Sequence, residues 1–530
     1  MRRWGVTAVT VVITLAIAGQ ATAGPKPLCH GKTATIVGSF EDDEINGTPS
    51  ADVIWADEGD DIISAGRGAD LICAGRDDDE VSGGPGNDII RGYGGEDTLE
   101  GGPGDDKIFG GSTRDDLLGD SGNDLLVGGS KGWGWDWFFG GRGNDVIKGD
   151  DEAFVMYWYA PRGVDLDLRK GIARGEGHDV FKGGISRVMG SHHPDRLLGD
   201  RTSNWMVGGS FGSSADNDGA DIVKGRGGGD SLAGLDGDDL VWGGRGNDWF
   251  DAHSIQHGNP GHDVIRGGSG DDVTDYGEWC PSRKCRDPLK QGVNVNLTTG
   301  EMESAVGSEE LHSIENVIGS DAADHVIGSA AANFLIGDPY WNRNGGLDVI
   351  RGGPGADTIW GERYAEGGSA GNQPDRFFGD GGDDILAGDG GDDVLVGGRG
   401  NDEVKGGAEA DEISGGPGND FLNGENGMDR LRAGEGNDQV LGSNDSDELF
   451  AGPGDDFLDG GLDVDLYDGG EGEDNCKIEP GEVPVNCETF AALAGPLHQS
   501  SFSAPSPAQL RGVRPGWRSG DRRSRGPSGR

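Results

Sequence analysis

The chain has 530 residues, 106 of them glycine, and sets 95 acidic against 44 basic side chains for a net charge of −51. Only 33% of residues are apolar, thin for a conventional core of this length, and with such a charge the composition alone would describe a disordered polymer. The same charge excludes nucleic acid as a partner of the main body, because that binding rests on Lys and Arg neutralising phosphates.

Residues 1–23 read as an export signal. Arg2 and Arg3 form its positive start, Val6 to Ala18 its apolar run, and Ala21-Thr22-Ala23 a cleavage site before Gly24. The run is too short for a comfortable transmembrane helix, and no later stretch approaches one. The mature chain is therefore expected to be soluble and extracellular. Six cysteines in an exported chain favour disulfides. Cys280 and Cys285 are close enough for a small loop, as are Cys476 and Cys487, which leaves Cys29 with Cys73. Zinc would want His beside such close cysteine pairs, and none is near Cys280–Cys285 or Cys476–Cys487.

Residues 24–37 form an N-terminal cap in which Thr33 to Val37 looks like a strand. From Gly38 the chain can be cut every nine residues without a slip to Val127, and after a three-residue insertion the block closes at Lys148. Its nonads include AGRGADLIC, GGPGNDIIR and GDSGNDLLV. Residues 149–198 leave the period. A related stretch returns 129 residues later, matching Val164 with Val293, Leu168 with Leu297, Gly190-Ser191 with Gly319-Ser320 and Asp195 with Asp324. These two connectors (149–198 and 276–337) flank a shorter repeat block at 199–275. A third block, 338–477, ends in eleven consecutive nonads from GDGGDDILA at Gly379 to GGEGEDNCK at Lys477. A C-terminal cap, 478–494, precedes a tail at 495–530 with seven Arg and one acid, Asp521, which reads as disordered and basic.

The nonad has a physical logic. Its first six residues are rich in Gly, Asp and Asn, which suit a tight turn. The last three supply a short strand whose middle member, the eighth residue, points inward. Two nonads make one flattened coil, and coils stack at the inter-strand spacing of ~4.8 Å. Burial of one apolar side chain per nonad contributes roughly 1.5–3 kcal/mol, whereas ordering nine backbones costs about 1–2 kcal/mol each. Stacked sixth-position carboxylates add about 3.5 kcal/mol of repulsion per pair at an effective dielectric near 20. Burial alone loses. A hard divalent cation between turns, held by Asp oxygens and main-chain carbonyls, reverses the sign, and that donor set suits calcium better than magnesium or zinc.

The pattern G-G-x-G-x-D-x-U-x, with U large and apolar, resembles the RTX (hemolysin-type) calcium-binding nonapeptide repeat over roughly residues 38–477. The second connector is similar to the segment that leads into or between such rolls in secreted serralysin-type proteins. The resemblance implies an all-β fold of parallel β-roll segments, right-handed and β-helix-like, with calcium between turns. It also implies that sixth-position Asp side chains are ligands where the loop keeps a glycine two residues earlier. Those positions are Asp61, Asp70, Asp88, Asp97, Asp106, Asp124, Asp136 and Asp145 in the first block, and Asp230, Asp239, Asp248 and Asp272 in the second. The third block has Asp357, Asp384, Asp393, Asp402, Asp420, Asp429, Asp438, Asp456 and Asp474. Asp411 and Asp447 lack that glycine, as do the nonads AGRDDDEVS and GGSTRDDLL. An N-terminal signal departs from the family's usual export through a dedicated channel guided by an uncleaved C-terminal signal.

Catalytic motifs are missing or uninformative. There is no H-E-x-x-H, and the G-x-S-x-G strings at Ser130, Ser210 and Ser369 sit in glycine-rich loops without the strand–turn–helix setting of a nucleophile elbow. The aromatic groups Trp133 to Phe139 and Tyr157-Trp158-Tyr159 could stack on sugars or pack between roll and connector, the second being the simpler expectation. The function expected is that of a secreted, non-enzymatic calcium-binding protein, structural or interacting at a surface or matrix, with cell-wall or extracellular polysaccharide as a candidate partner. The alternatives are the accessory region of a secreted hydrolase or polysaccharide-modifying enzyme, or a carbohydrate-binding adhesin.

Overall fold

The computed structural model describes residues 26–130, 134–150, 153–209, 219–251, 261–277, 292–304, 307–338, 346–362, 373–478, 481–482 and 484–488. The export signal, Trp133, Ser210, Ser369, the Cys280–Cys285 pair and the basic tail lie outside the described residues. Among the described residues every regular element is a β-strand. No helix there is long and apolar enough to cross a membrane.

Apart from a short N-terminal hairpin, the described strands fall into two long sheets. Within the repeat blocks consecutive strands alternate between them, and each pairs in parallel with the strand one coil away. In the last block Phe421–Asn426 pairs with Gln439–Asn444, setting Leu422 beside Val440, while Arg430–Glu435 pairs with Glu448–Pro453 in the facing sheet. The offset of 18 residues is two nonads, so one flattened coil per pair of repeats is correct. One detail of the expectation changes. Many strands hold six residues rather than three, because the opening residues of the next turn continue the ladder, as at Gly416↔Gly434 and Pro417↔Glu435.

The eighth-position side chains fill the space between the sheets. Ile90, Leu99, Ile108, Leu117 and Leu126 near one end, and Leu422, Leu431, Val440, Leu449 and Leu458 near the other, are all 0% exposed and belong to one core running the length of the body. Such a core is quasi-one-dimensional, each coil touching only its neighbours.

Both sheets run through the connectors. The first sheet, which opens with Ile36–Val37 and Val53–Glu58, takes in an antiparallel excursion there. His178–Phe181 joins the ladder beside Val146–Lys148, Ile172–Arg174 folds back on it, and Asp165–Asp167 returns to pair in parallel with Arg196–Leu198. The second connector repeats this with Ser308–His312, Glu301–Ser304 and Val293–Asn296. The second sheet, which opens with Glu44–Asn46, stays parallel throughout, with Ala153–Met156 passing directly to Ile185–Met189. The alternating Val-Asn-Val-Asn is a strand with buried Val293 and Val295.

Long insertions respect a side. Residues 210–218, 252–260, 278–291, 339–345 and 363–372 each fall where the chain leaves the second sheet for the first. Passages in the opposite direction keep the length of a plain repeat or nearly so.

Two disulfides close the ends. Cys29–Cys73 pins the hairpin of Leu28–Cys29 and Lys32–Thr33 to the outside of the first sheet, and Cys476–Cys487 ties the C-terminal cap to the last coil.

Candidate metal centres

Each six-residue turn ends in an aspartate that precedes a strand, so the alternation of strands sorts these residues into two columns, one on each margin of the body. All 21 aspartates singled out by the repeat pattern are buried, none more than 6% exposed. Asp70, Asp88, Asp106, Asp124 and Asp145 stand in one column, and Asp61, Asp97 and Asp136 in the other. In the middle block Asp239 continues the first column and Asp230, Asp248 and Asp272 the second. In the last block Asp393 and Asp429 stand in the first column, with Asp357, Asp384, Asp402, Asp420, Asp438, Asp456 and Asp474 in the second.

Within a column the two carboxylate oxygens have different surroundings. Oδ1 accepts the backbone N–H of the aspartate one coil earlier: Asp88 from Asp70 at 2.7 Å, Asp420 from Asp402 at 2.9 Å. Oδ2 is buried and has no hydrogen-bond partner at Asp88, Asp97, Asp106, Asp124, Asp384, Asp402, Asp420, Asp438 and Asp456. It faces the first residue of its own turn, where a carbonyl of the next coil also converges. A Cβ placed on Gly83 would lie 2.7 Å from Asp88 Oδ2 and 2.8 Å from the Gly101 carbonyl oxygen. A recurring row of buried, undonated oxygens is costly unless something positive sits among them.

The electrostatics agree. Burial, partly offset by the backbone N–H donated to each carboxylate and reinforced by the acids one coil away, pushes Asp97 and Asp393 up to about 8 and Asp420 to about 7. Asp88 and Asp438 rise to about 6, chiefly through burial. Without a counter-ion, Asp97 and Asp393 at about 8 would keep their protons near neutrality. Among the described residues no three His, Cys, Asp or Glu side chains gather in one place. A cation between coils would thus draw on carboxylates of successive turns and on main-chain carbonyls, the all-oxygen set that calcium takes and zinc does not.

The fourth-position glycine has its own reason. At Gly104, Gly418 and Gly454 φ is +153°, +153° and +156°, and a Cβ there would overlap the carbonyl oxygen of the matching glycine one coil below. Where that residue is not glycine the turn closes differently. Asp77, Thr113, Glu409 and Asp445 adopt φ of 72°, 83°, 75° and 73°. The aspartates that follow, Asp79, Asp115, Asp411 and Asp447, keep their places and their Oδ1 hydrogen bonds.

Sequence reasoning missed three features. Fifth-position Asp and Asn form an exposed ladder of opposite sense: Asn401 Oδ1 accepts from Asn419 N–H at 2.9 Å and Asn419 from Asn437 at 2.7 Å. Its only signal was the recurring Asn/Asp before the sixth-position Asp. The columns also extend through Asp179, Asp195, Asp221, Asp263, Asp324, Asp348 and Asp375, which no nonad count reaches because insertions stretch the step to between 24 and 34 residues. Finally, Asn204 and Asn333 stand in for aspartate and donate their N–H groups to Asp230 and Asp357.

The aromatic cluster is largely used in packing. Phe138 is a core residue, Trp137 meets Phe154 edge-on at 5.9 Å, Phe139 meets Trp158 at 6.3 Å, and Arg187 lies 3.7 Å over Trp135. Tyr157 is buried and donates its hydroxyl to Asp179 Oδ2 at 2.9 Å, and Tyr159 is exposed.

No curated protein matches the chain. The family model described as "RTX calcium-binding nonapeptide repeat (4 copies)" matches residues 37–72, 74–108, 91–126, 132–153, 216–250, 257–278, 344–363, 369–404, 405–440 and 441–476, more than half of the chain. With the parallel roll and the two oxygen-lined columns already described, that match places this chain in the RTX family of calcium-binding nonapeptide-repeat proteins, whose repeats bind calcium ions at multiple sites.

Proposed function

We propose that this is a secreted, non-enzymatic protein whose roll is assembled by calcium once the chain is outside the cell, with a structural or interaction role at a surface or in a matrix. The sixth-position aspartates act as the ligands, from Asp61 to Asp145, Asp230 to Asp272 and Asp357 to Asp474. Three roll segments (38–148, 199–275 and 338–477) take up the ions, and the connectors 149–198 and 276–337 join them. The buried, undonated Oδ2 rows carry this reading. Extracellular modules bind calcium at about 10⁻⁴–10⁻³ M, so the low-calcium cytosol would leave the chain unfolded for export. Two disulfides closing the ends fit an oxidising compartment.

The test is a calcium titration of the purified chain followed by far-ultraviolet circular dichroism. The β signal is expected to be largely absent in excess chelator and to appear cooperatively as calcium is restored. Full β structure in chelator, with no gain on adding calcium, refutes the reading.

A further inference from the structure

Where a run of nonads stops, the aspartate ladder does not end on a bare N–H. The backbone N–H of Asp272 donates to Glu315 Oε2 at 3.0 Å, and that of Asp474 to Glu488 Oε2, also at 3.0 Å. Both glutamates arrive in the same local frame. Two residues before each is a left-handed residue, Ser313 with φ 51° and Asn486 with φ 53°. The carbonyl oxygen of that residue converges on the first glycine of the preceding coil, Gly267 or Gly469, beside Oδ2 of Asp272 or Asp474. In an ordinary repeat the same place is filled by a first-position glycine carbonyl, with its aspartate five residues later, as Gly101 and Asp106 do over Gly83 and Asp88. Ser313-Ile314-Glu315 and Asn486-Cys487-Glu488 therefore offer a carbonyl and a carboxylate in three residues where the repeat uses six. The extra methylene of Glu gives it the added reach.

Each segment is anchored at its middle residue: Ile314 is buried in the core, and Cys487 is bonded to Cys476. Asp272 is 0% exposed, and its Oδ2, facing this convergence, has no hydrogen-bond partner. Neither segment falls within a stretch matched by the repeat model: 313–315 lies between the matches ending at 278 and starting at 344, and 486–488 lies beyond the match ending at 476. The first connector carries Ser186 at the position matching Glu315, so the two connectors differ at this point.

We propose that Ser313–Glu315 with Asp272, and Asn486–Glu488 with Asp474, each build a calcium-type divalent-cation site outside the nonapeptide pattern, closing the column at the end of its block. The proposal rests on the reading of the aspartate columns as calcium ligands. Native mass spectrometry of the full chain saturated with calcium counts the ions, and calorimetric titration gives their affinities. Glutamine at these positions keeps an acceptor for the aspartate N–H and removes the charge. Glu315→Gln and Glu488→Gln are each expected to lose one ion or weaken one site at least tenfold, and the double variant to lose two, with the β signal of the saturated chain unchanged. Glu488 lies at the last coil, so any loss of folding from its variant stays local. Asp420→Asn is the reference within a column. If it loses an ion while both glutamine variants keep the wild-type count and titration, the end sites are overturned and the column reading stands. If Asp420→Asn also keeps the full count, the column reading itself falls.

Discussion

Replacing Asp420 by Asn should change stability in opposite directions with and without calcium. Asn keeps the acceptor that Asp420 Oδ1 offers to the Asp402 N–H at 2.9 Å, so the ladder survives. What it removes is a buried charge flanked by Asp402 and Asp438, both of which, after burial itself, help hold the Asp420 carboxyl up at about 7. Two carboxylates one coil apart, ~4.8 Å, repel by about 3.5 kcal/mol at an effective dielectric near 20. After screening by salt and the partial protonation at neutral pH, a net relief of about 1–3 kcal/mol remains. In chelator Asp420→Asn should therefore raise the residual β structure or the urea midpoint. In calcium the neutral amide is the poorer ligand, and a ten- to hundredfold loss at that site corresponds to about 1.4–2.7 kcal/mol of destabilisation. Paired urea titrations by circular dichroism, with and without chelator, read both signs. A loss of stability in chelator as well as in calcium would refute the electrostatic argument.

Three further outcomes are expected. The raised aspartates give acid a stabilising role in the metal-free chain: burial holds Asp88 and Asp438 at about 6 and Asp97 and Asp393 at about 8, above the ordinary carboxylate range. That contribution is complete below about pH 4 and is lost as pH rises through 6–8. Lowering the pH from 8 to 5 in chelator should restore β structure, while calcium affinity rises with pH over the same window, and dichroism and calorimetry follow the two. Gly418→Ala sets a Cβ onto the Gly400 carbonyl at φ +153° and should cost at least the roughly 1–3 kcal/mol of a residue forced into glycine-only space, seen as a shift of the calcium midpoint to higher concentration. Replacing Cys476 and Cys487 by Ser frees the segment carrying Glu482 and Glu488 from the last coil. A loss on the order of 2–3 kcal/mol should appear as faster hydrogen exchange in Leu466–Glu471, with Ile89–Gly94 unaffected.

What could be read in advance follows from the fixed period. A nonad tells which residue faces inward and which carboxylate ends the turn, so Leu422 and Asp420 could be placed without coordinates. The missing glycine marks out Asp411 and Asp447 in the sequence, but counting glycines does not tell that Glu409 and Asp445 close those turns in a left-handed conformation at φ 75° and 73°. Asn419 looked like any turn former, and its pairing across coils appears only once turns stand above one another. Asp179 and Glu315 could not be found by counting at all, since the chain reaches their places after leaving the period and returning.

The one-sided placement of the long insertions leaves the body with two unlike borders. Along the border where the chain passes from first sheet to second, the turns follow one another with little interruption, a plain rack of acidic bends. The opposite border carries the long insertions, at five places. Repeat scaffolds commonly confine such variation to the side that meets partners, because length can change there without shifting the register of the rungs. Chain length can thus vary along one border while the turns of the other stay in step, coil after coil.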